Sequence, residues 1–293
     1  GTLHKEVVFD AVVAPAADEH QHVGRVADEA GQDGGDGTDE DVAVLDVGQL
    51  VGDHALNFAG RQESQQTLGD RDDGGRAEPL RAEISRLGRR FHFAIVDVSD
   101  AEAVRSWVGL VEKELSPPTI AVPNAAIVEM ASMADLTPAI WQRHLDVNLT
   151  GAFNLAHAVA QRLVELRQTG RIVFIGSWAG HTAHAHIPAY CVAKAGLRMV
   201  CRCMALEYAR HGILVNEVAP GVVNAGLSRS LFDKDRALTR RTAASIPTGE
   251  LMQPEEVALH VAHLCDPRSR NVTGSVLLCD GGLSLVTATA KQE

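Results

Sequence analysis

The sequence predicts a doubly wound α/β fold, in which helices cover both faces of a mostly parallel sheet. From about residue 77 onwards, short apolar runs alternate with segments in which apolar residues recur at helical spacing. Each apolar run is continuous, which is typical of a strand buried on both faces. A length of 293 residues is ordinary for one such domain.

The strands are predicted from apolar runs of four to eight residues. Runs of this length, bounded by residues that favour turns, are typical of buried strands. They cover residues 91–98, 119–122, 171–175, 213–218 and 276–279.

The helices are predicted from apolar periodicity together with residues that favour helix ends. Gly88 follows the first periodic segment as a stop signal. Ser99 and Glu102 predict a capping box for the second helix. Thr137 as the N-cap and Pro138 in the first turn begin the third. The longer helices are predicted over residues 148–169, 189–211 and 254–264.

The composition excludes several classes of protein. A net charge of −11 argues against a general nucleic-acid-binding protein, because such proteins attract phosphates with basic surfaces. No apolar run reaches the ~18–20 residues that span a bilayer, so no membrane protein is expected. The five cysteines are odd in number and lack a Cys-x-x-Cys pair, which favours reduced thiols in a cytoplasm.

The chain divides by composition into residues 1–76 and residues 77–293. The first segment carries 17 acidic and 5 basic side chains and 12 of the 26 glycines. Such a composition buries little apolar area, so disorder is expected there, above all over residues 1–40. Residues 77–293 hold the α/β pattern. The abrupt change near residue 77 leaves open that the first segment is a wrong reading frame or a mis-joined piece.

The sharpest chemical constellation consists of Ser177, Tyr190 and Lys194. Tyr190 and Lys194 are four apart on a predicted helix, so they share one face. A neighbouring ammonium lowers the pKa of a tyrosine from ~10 toward the working range of a general acid and base. Ser177 follows a strand end, where its hydroxyl can hold a substrate oxygen. A Tyr-x-x-x-Lys pair alone also occurs by chance in many helices.

In context, these residues resemble the short-chain dehydrogenase/reductase family, whose fold is of the Rossmann type. The resemblance depends on residues 170–180, on the Tyr190 motif and on the 13-residue spacing between Ser177 and Tyr190. Further matches follow in the family's order over residues 77–285. They are Asp97 with Val98, Asn124 to Ala126, and residues 147–151, 216–221, 254–257, 272–274 and 280–282.

The resemblance implies hydride transfer between NAD(P) and an alcohol or ketone. Tyr190 would exchange the proton with the substrate oxygen, and Ser177 would orient that oxygen. Lys194 would lower the pKa of Tyr190 and hold the nicotinamide ribose. Asn148 would keep a water in a proton relay to Lys194. The substrate itself stays open, since relatives act on sugars, polyols, steroids and acyl thioesters.

The resemblance also implies cofactor contacts near the ends of predicted strands. Ala126 and Ala225 replace a glycine and a threonine that are usual in the family. Asp70 with Arg71 falls near the acidic residue that binds the adenosine ribose, which favours NAD over NADP, because a carboxylate repels a 2′-phosphate. The implied contact residues are Asp97, Val98, Asn124, Ala125, Tyr190, Lys194, Pro220, Gly221 and Val223.

The family's glycine-rich phosphate loop follows its first strand and has two candidates here. Gly31, Gly35 and Gly37 have the glycine spacing, but no strand precedes them and acidic residues lie between them. The second candidate, at Gly48 and Gly52, follows an apolar run over residues 42–45, although His54 replaces the third glycine. Without a phosphate loop, the alternative function is a catalytically impaired or cofactor-free assembly partner.

Histidines and basic residues flank the predicted site. His181, His184 and His186 are interpreted as substrate-side lining rather than metal ligands, since no carboxylate or cysteine has ligand spacing to them. Residues 228–241 correspond to the family's mobile substrate lid. Its basic residues would meet an anionic substrate or form a solvated helical face. They are Arg229, Lys234, Arg236, Arg240 and Arg241.

A homo-oligomer is expected, with a tetramer favoured over a dimer. The helix after Asn148 is apolar over more than one face, with Ala152, Leu155 and Val164 as the second stripe. Relatives pair this helix and the helix of Tyr190 across a two-fold axis. Residues 276–286 are apolar enough to supply a second interface. Cys201 and Cys203 are predicted to be buried.

Overall fold

Helices cover both faces of one seven-stranded sheet, as the sequence predicts. The structure, a computed structural model, describes residues 8–14, 42–45, 81–82, 84–86, 90–225, 232 and 234–286. The first two ranges are described as strand backbone. Within the described ranges, no helix is long and apolar enough to cross a membrane.

The strands of the sheet lie close to the predicted ones. They are β1 Val8–Ala14, β2 Val42–Leu45, β3 Phe93–Ile95, β4 Pro118–Ala121, β5 Gly170–Ile175, β6 Ile213–Pro220 and β7 Val276–Cys279. Their order across the sheet is β3-β1-β2-β4-β5-β6-β7. Only β1 is antiparallel to its neighbours, and the pairs from β2 through β4 to β7 are parallel, so a mostly parallel sheet is confirmed.

β1 is a strand that the sequence does not predict, and it lies inside the acidic segment. An antiparallel neighbour needs no helical crossover, which is why β1 can pair with β2 without a β–α–β unit between them. Ala14 pairs with Val42, and Leu45 pairs with Ala121 of β4. The end of β1 and the start of β2 therefore lie at one end of the strands, and the carboxyl ends of β2 and β4 lie at the other end.

The helices keep the predicted order with shifted ends. They are α1 Ala101–Glu114, α2 Pro138–Leu145, α3 Ala152–Leu166, α4 Pro188–Tyr208, α5 Arg236–Ser245 and α6 Pro254–Cys265. A π-helical turn, Asp146–Gly151, precedes α3, and Arg167 ends it with a left-handed φ of 57°. The helix predicted over residues 148–169 is thus shorter at both ends. The predicted first helix is described only at residues 81–82 and 84–86, which are helical.

One predicted cap is confirmed and one is wrong. Thr137 Oγ1 accepts a hydrogen bond from the N–H of Ile140 at 3.2 Å, as an N-cap should. The predicted capping box of Ser99 is replaced by Asp100, whose carboxylate caps α1. The reason is that Asp97 accepts hydrogen bonds from both the N–H and the hydroxyl of Ser99, at 2.9 and 2.6 Å. Ser99 therefore belongs to the turn before the helix.

The core has one layer on each face of the sheet. The larger layer packs α1, α3 and α4 against β4, β5 and β6, and α6 packs on the opposite face. Ala152 and Leu155 are buried in the larger layer, so the expectation that they form an unpartnered stripe is wrong. Cys201 is buried as predicted, whereas Cys203 is exposed, because residues two apart on a helix point in nearly opposite directions.

Candidate active site

The candidate site lies at the edge of the sheet where the parallel strands end. Ser177 follows β5, Asn124 follows β4, and Pro220 is the last residue of β6. In open parallel sheets, ligands bind in the crevice outside the carboxyl ends of the strands. The sheet therefore brings residues that are far apart in sequence to one crevice.

Ser177, Tyr190 and Lys194 come together as predicted. Ser177 is the extended residue before the 3₁₀ turn Trp178–Gly180, and its Oγ accepts a hydrogen bond from the N–H of Ala179 at 3.1 Å. Its hydroxyl also hydrogen-bonds Tyr190 in the first turn of α4. Lys194 lies one turn later, with Nζ 5.6 Å from the centre of the Tyr190 ring.

Burial dominates the protonation of Tyr190. It raises the pKa of Tyr190 to about 12, and the hydrogen bond from Ser177 opposes that rise. The expectation that Lys194 brings the pKa of Tyr190 below that of a free tyrosine is not met, because desolvation of the tyrosinate outweighs the attraction of an ammonium at this distance. Tyr190 therefore keeps its proton at neutral pH, which is the form of a general acid.

Lys194 is a buried cation with donors available to a ligand. Lys194 is 2% exposed, and its Nζ donates a hydrogen bond to the carbonyl of Ile175 at 2.7 Å. Burial lowers the pKa of Lys194 to about 8, and the carboxylate of Glu217 opposes that shift. An ammonium has three donors, of which Ile175 takes one, so Lys194 can still donate to ribose hydroxyls.

Asn148 connects the π-helical turn to the loop after β4. Its side chain is fully buried, accepts from the N–H of Ile127 at 2.8 Å and donates to the carbonyl of Ile127 at 2.9 Å. Both ends of the amide thus hold the loop that begins at Asn124. The role of Asn148 in a water relay stays a prediction.

The predicted adenine-side residues, Asp97 and Val98, follow β3 at the same edge. Asp97 is fixed by its two hydrogen bonds from Ser99. The carbonyl of Val98 accepts from Asn154 of α3 at 2.8 Å. Gly151 packs closely on Val98, since a Cβ at position 151 would lie 2.7 Å from the Cγ2 of Val98. These contacts hold the two residues against the start of α3.

The predicted nicotinamide-side residues follow β4 and β6. Asn124 and Ala125 are half-buried in the loop after β4. Gly221 donates its N–H to the carbonyl of Cys279 at 3.0 Å, and Val223 forms a parallel bridge with Met252. The turn after β6 is thereby fixed to the chain on either side of it.

Glycine is required at position 221 because the backbone of Asp280 lies close to it. A Cβ at this position would lie 2.7 Å from the Cα of Asp280, which cannot move aside as a flexible side chain can. We expect Gly221→Ala to cost about 1–3 kcal/mol in the free energy of unfolding, measured by urea titration, as overpacked sites do. Gly109→Ala in α1 is the control, since nothing lies within 4 Å of its Cβ. It should be neutral or stabilise by about 0.5–1 kcal/mol. Equal stabilities for the two variants would contradict the argument.

The described residues fit the nicotinamide half of a dinucleotide. Lys194 supplies a buried ammonium with spare donors, and the turn from Gly221 to Val223 follows β6 at the end of the sheet where Ser177 follows β5. The candidate phosphate-loop glycines at 31–37 and 48–52, with His54, Asp70 and Arg71, lie outside the described residues.

The histidine loop has no metal-site arrangement. Among the described residues, no three histidine, cysteine or acidic side chains converge as metal ligands would. His184 packs edge-on against Trp178 at 4.3 Å between ring centres, and burial lowers its pKa. Within the described chain, its Nε2 is buried without a hydrogen-bond partner. The interpretation of the loop as substrate-side lining stays a prediction.

The basic residues of the predicted lid region are solvated where they are described. Lys234, Arg236, Arg240 and Arg241 are exposed, and Asp235 caps α5. Arg241 lies 3.8 Å from Asp235. Arg229 lies outside the described residues.

Two charged residues beneath the site, Arg198 and Glu217, are not predicted from the sequence. Both are buried, and the guanidinium of Arg198 forms a two-pronged ion pair with the carboxylate of Glu217. The available signal was a glutamate within the strand predicted over residues 213–218, and an arginine four residues after Lys194 on the predicted helix.

Similarity to known proteins extends over most of the chain. The profile of the family described as enoyl-(acyl carrier protein) reductase matches residues 60–284. The acetoacetyl-CoA reductase of Shinella zoogloeoides is 33% identical over 228 residues, which cover 78% of this chain and 90% of that protein. The inactive 2-(S)-hydroxypropyl-CoM dehydrogenase 2 of Xanthobacter autotrophicus is 35% identical over 77% of this chain and 97% of that protein.

A solved structure extends the similarity to the fold. The gluconate 5-dehydrogenase from Burkholderia cenocepacia, in complex with NADP and tartrate, is 30% identical. It superposes with a TM-score of 0.68 over 73% of this chain and 84% of that one.

Proposed function

This chain belongs to the short-chain dehydrogenase/reductase family and is an NAD(P)-dependent oxidoreductase, and we propose that Ser177, Tyr190, Lys194 and Asn148 carry its alcohol–ketone interconversion. The observation that carries the assignment of residues is the placement of the Ser177 hydroxyl near Tyr190, one helical turn from the buried ammonium of Lys194. A protonated phenol and a hydroxyl then face the same substrate oxygen.

Each residue has one role in the proposed reaction. The bound cofactor supplies or accepts the hydride. In ketone reduction, the Oη–H of Tyr190 gives its proton to the carbonyl oxygen while the hydroxyl of Ser177 donates a hydrogen bond to that oxygen. In alcohol oxidation, the deprotonated Oη takes the proton back. Lys194 holds the nicotinamide ribose, and its charge favours the tyrosinate. Asn148 keeps the relay water near Lys194.

The cofactor's phosphates are proposed to bind the loop after β2 rather than the glycines before it. Residues 15–41 connect Ala14 to Val42, which lie at the sheet edge away from the site. Residues 46 onwards leave Leu45, whose partner Ala121 comes just before Asn124. β2 therefore ends at the same end of the sheet as Asn124, where such sheets bind phosphates, and Gly48 and Gly52 follow β2 in the sequence. Residues 77–293 hold the remainder of the domain.

NAD is proposed as the preferred cofactor because Asp70 falls near the predicted ribose contact. A carboxylate there repels the 2′-phosphate of NADP. We expect a KM for NADPH roughly tenfold above that for NADH, which corresponds to about 1.4 kcal/mol. Asp70→Ser should narrow the gap. A preference for NADPH in the unmodified chain would reject the assignment.

The proposed activity is tested with carbonyl substrates of several classes. Purified protein is mixed with NADH or NADPH and, in turn, with acetoacetyl-CoA, a 3-oxosteroid and 5-ketogluconate, and the loss of reduced cofactor is followed by absorbance. Turnover of at least one ketone supports the proposal. A chain that binds neither NADH nor NADPH and reduces none of these ketones would contradict the proposal.

A second candidate function is favoured by the relative from Xanthobacter that is called inactive. In this alternative the chain binds no cofactor and acts as an assembly partner. NADH fluorescence separates the two, since an enzyme quenches or shifts it and an assembly partner leaves it unchanged.

The setting proposed for this reaction is a cytoplasm and a homotetramer. All five cysteines lie in the described residues and are free thiols, which a reducing compartment maintains. The proposed tetramer is supported by apolar surface on α3 and α4.

A further inference from the structure

A buried ion pair lies directly beneath the turn that carries Ser177. Arg198 of α4 donates through Nε to Oε2 of Glu217 at 3.1 Å and through Nη2 to Oε1 at 2.9 Å. Glu217, in strand β6 between β5 and β7, is 0% exposed. This two-pronged geometry is the strongest form of an arginine–carboxylate pair and fixes the guanidinium in direction as well as in place.

The same guanidinium contacts the main chain on both sides of the catalytic turn. Nη1 donates to the carbonyl of Gly180 at 3.1 Å, and Nη2 lies 3.4 Å from the carbonyl of Ser177. The carboxylate of Glu217 also packs under the residue before Ser177, where a Cβ on Gly176 would lie 2.0 Å from Oε1. The pair thus supports the turn from its first residue to its last.

Stability gives no sufficient reason for this pair. Apolar residues of similar volume often stabilise a core as much as a buried ion pair does. Loss of one partner alone is destabilising, because it leaves an unpaired buried charge. The contacts to Ser177 and Gly180 supply a different reason, because a catalytic hydroxyl has to be held in a fixed position.

We propose that Arg198 and Glu217 are positioning residues for the reaction, which hold the Ser177–Gly180 turn so that the Ser177 hydroxyl meets Tyr190 and the substrate oxygen. This inference rests on the proposed function of Ser177 and Tyr190. Glu217 also faces Lys194 and Arg198, so one carboxylate lies beneath two cations. Its charge raises the pKa of Lys194 against the lowering caused by burial.

The test replaces the pair without leaving a lone charge. Arg198→Met combined with Glu217→Leu should fold with an unfolding midpoint close to that of the unmodified protein. Its dissociation constant for NADH, measured by fluorescence, should stay within about threefold, while kcat falls roughly 10²-fold, the loss that a misplaced catalytic group produces. The ketone is the one reduced best in the panel of acetoacetyl-CoA, a 3-oxosteroid and 5-ketogluconate. A purely structural role predicts that kcat recovers together with stability.

A second variant decides the matter if the paired variant does not fold. Arg198→Lys keeps the positive charge beside Glu217 but lacks the planar fork that reaches both carbonyls, so kcat should fall about tenfold at a temperature well below the variant's own unfolding midpoint. Unmodified kcat in whichever of the two variants folds overturns the inference. Tyr190→Phe, measured alongside, distinguishes failure of the proposed function from failure of the positioning role. Activity in Tyr190→Phe contradicts the proposed function. An inactive Tyr190→Phe beside a fully active Arg198→Met, Glu217→Leu variant contradicts the positioning role alone.

Discussion

Replacing Tyr190 by phenylalanine is expected to abolish turnover and leave the fold intact. Only the hydroxyl is lost, and in the proposed mechanism that hydroxyl exchanges the proton with the substrate oxygen. Loss of a general acid and base costs typically ~10²–10⁴-fold in kcat. Stability should change little, because the ring still fills its place on α4. The measurement is cofactor absorbance at saturating ketone, with unfolding followed by circular dichroism.

Tyr208→Phe is the matched control, because Tyr190 and Tyr208 are the chain's two tyrosines. The hydroxyl of Tyr208 hydrogen-bonds His157 at 3.3 Å, at the far end of the same helix. This variant should retain the activity of the unmodified enzyme. Activity of Tyr190→Phe within tenfold of the unmodified enzyme would remove Tyr190 from the proposed mechanism.

The pH dependence of the two reaction directions follows from the same tyrosine. Burial raises the pKa of Tyr190 to about 12, so the phenol is protonated across the neutral range. Ketone reduction uses this protonated form, so loss of the phenol proton should lower its rate only as the pH rises through that pKa. Neutralisation of Lys194, whose pKa is about 8, should weaken ribose binding at lower pH than that. Alcohol oxidation needs the tyrosinate, so its rate should increase as the pH rises from neutral.

The parts of the fold that the sequence predicts best are those where local signals and burial agree. β7 has the predicted bounds, because an apolar run of four residues is followed by Asp280 and two glycines. α2 begins where Thr137 and Pro138 place it. In both places the residues that end or start the element are also the ones that its backbone geometry favours.

Tertiary contacts account for the predictions that failed. Serine is common at N-caps, but the N–H and the hydroxyl of Ser99 both donate hydrogen bonds to Asp97. Asp100 is therefore the N-cap of α1. β1 pairs with β2 and β3, which are distant in sequence. Its mostly apolar run of Val, Phe and Ala before Pro15 is a local strand signal that the acidic composition of the surrounding segment concealed. Such pairings depend on the rest of the sheet rather than on propensity.

The residues of the candidate site also differ in whether the sequence predicts them. Ser177, Tyr190 and Lys194 could be predicted because their spacing follows from one strand end and one helix face. Arg198 and Glu217 could not, since a charged residue in sequence is more often solvated than buried. Their pairing becomes visible only when β6 lies beneath α4.

The apolar surface between α3 and α4 is where we expect the first subunit interface. Phe153 is 38% and Met199 56% exposed, although both are large and apolar. They lie in a groove that also contains Cys203 and is almost entirely apolar. The groove is lined by Leu149, Thr150, Phe153, Gly196, Met199, Val200, Cys203 and Met204. Contiguous exposed apolar surface of this kind is typical of interfaces between subunits.

Phe153→Glu combined with Met199→Glu is therefore expected to break this interface. Light scattering at micromolar concentration should give a tetramer for the unmodified chain of 31.3 kDa and a dimer for the variant. The remaining contact would be the one near Leu285, which is 82% exposed at the other end of the chain. Charges in the buried centre of an interface are costly because they lose water without gaining a partner.

Leu110→Glu is the control for this assembly. Leu110 is exposed on α1, outside the groove, so a charge there should leave the tetramer intact. A monodisperse monomer of the unmodified chain would defeat the expectation of an oligomer. A tetramer that survives both glutamates in the groove would place the interface elsewhere, because two like charges facing their symmetry copies repel across a two-fold axis.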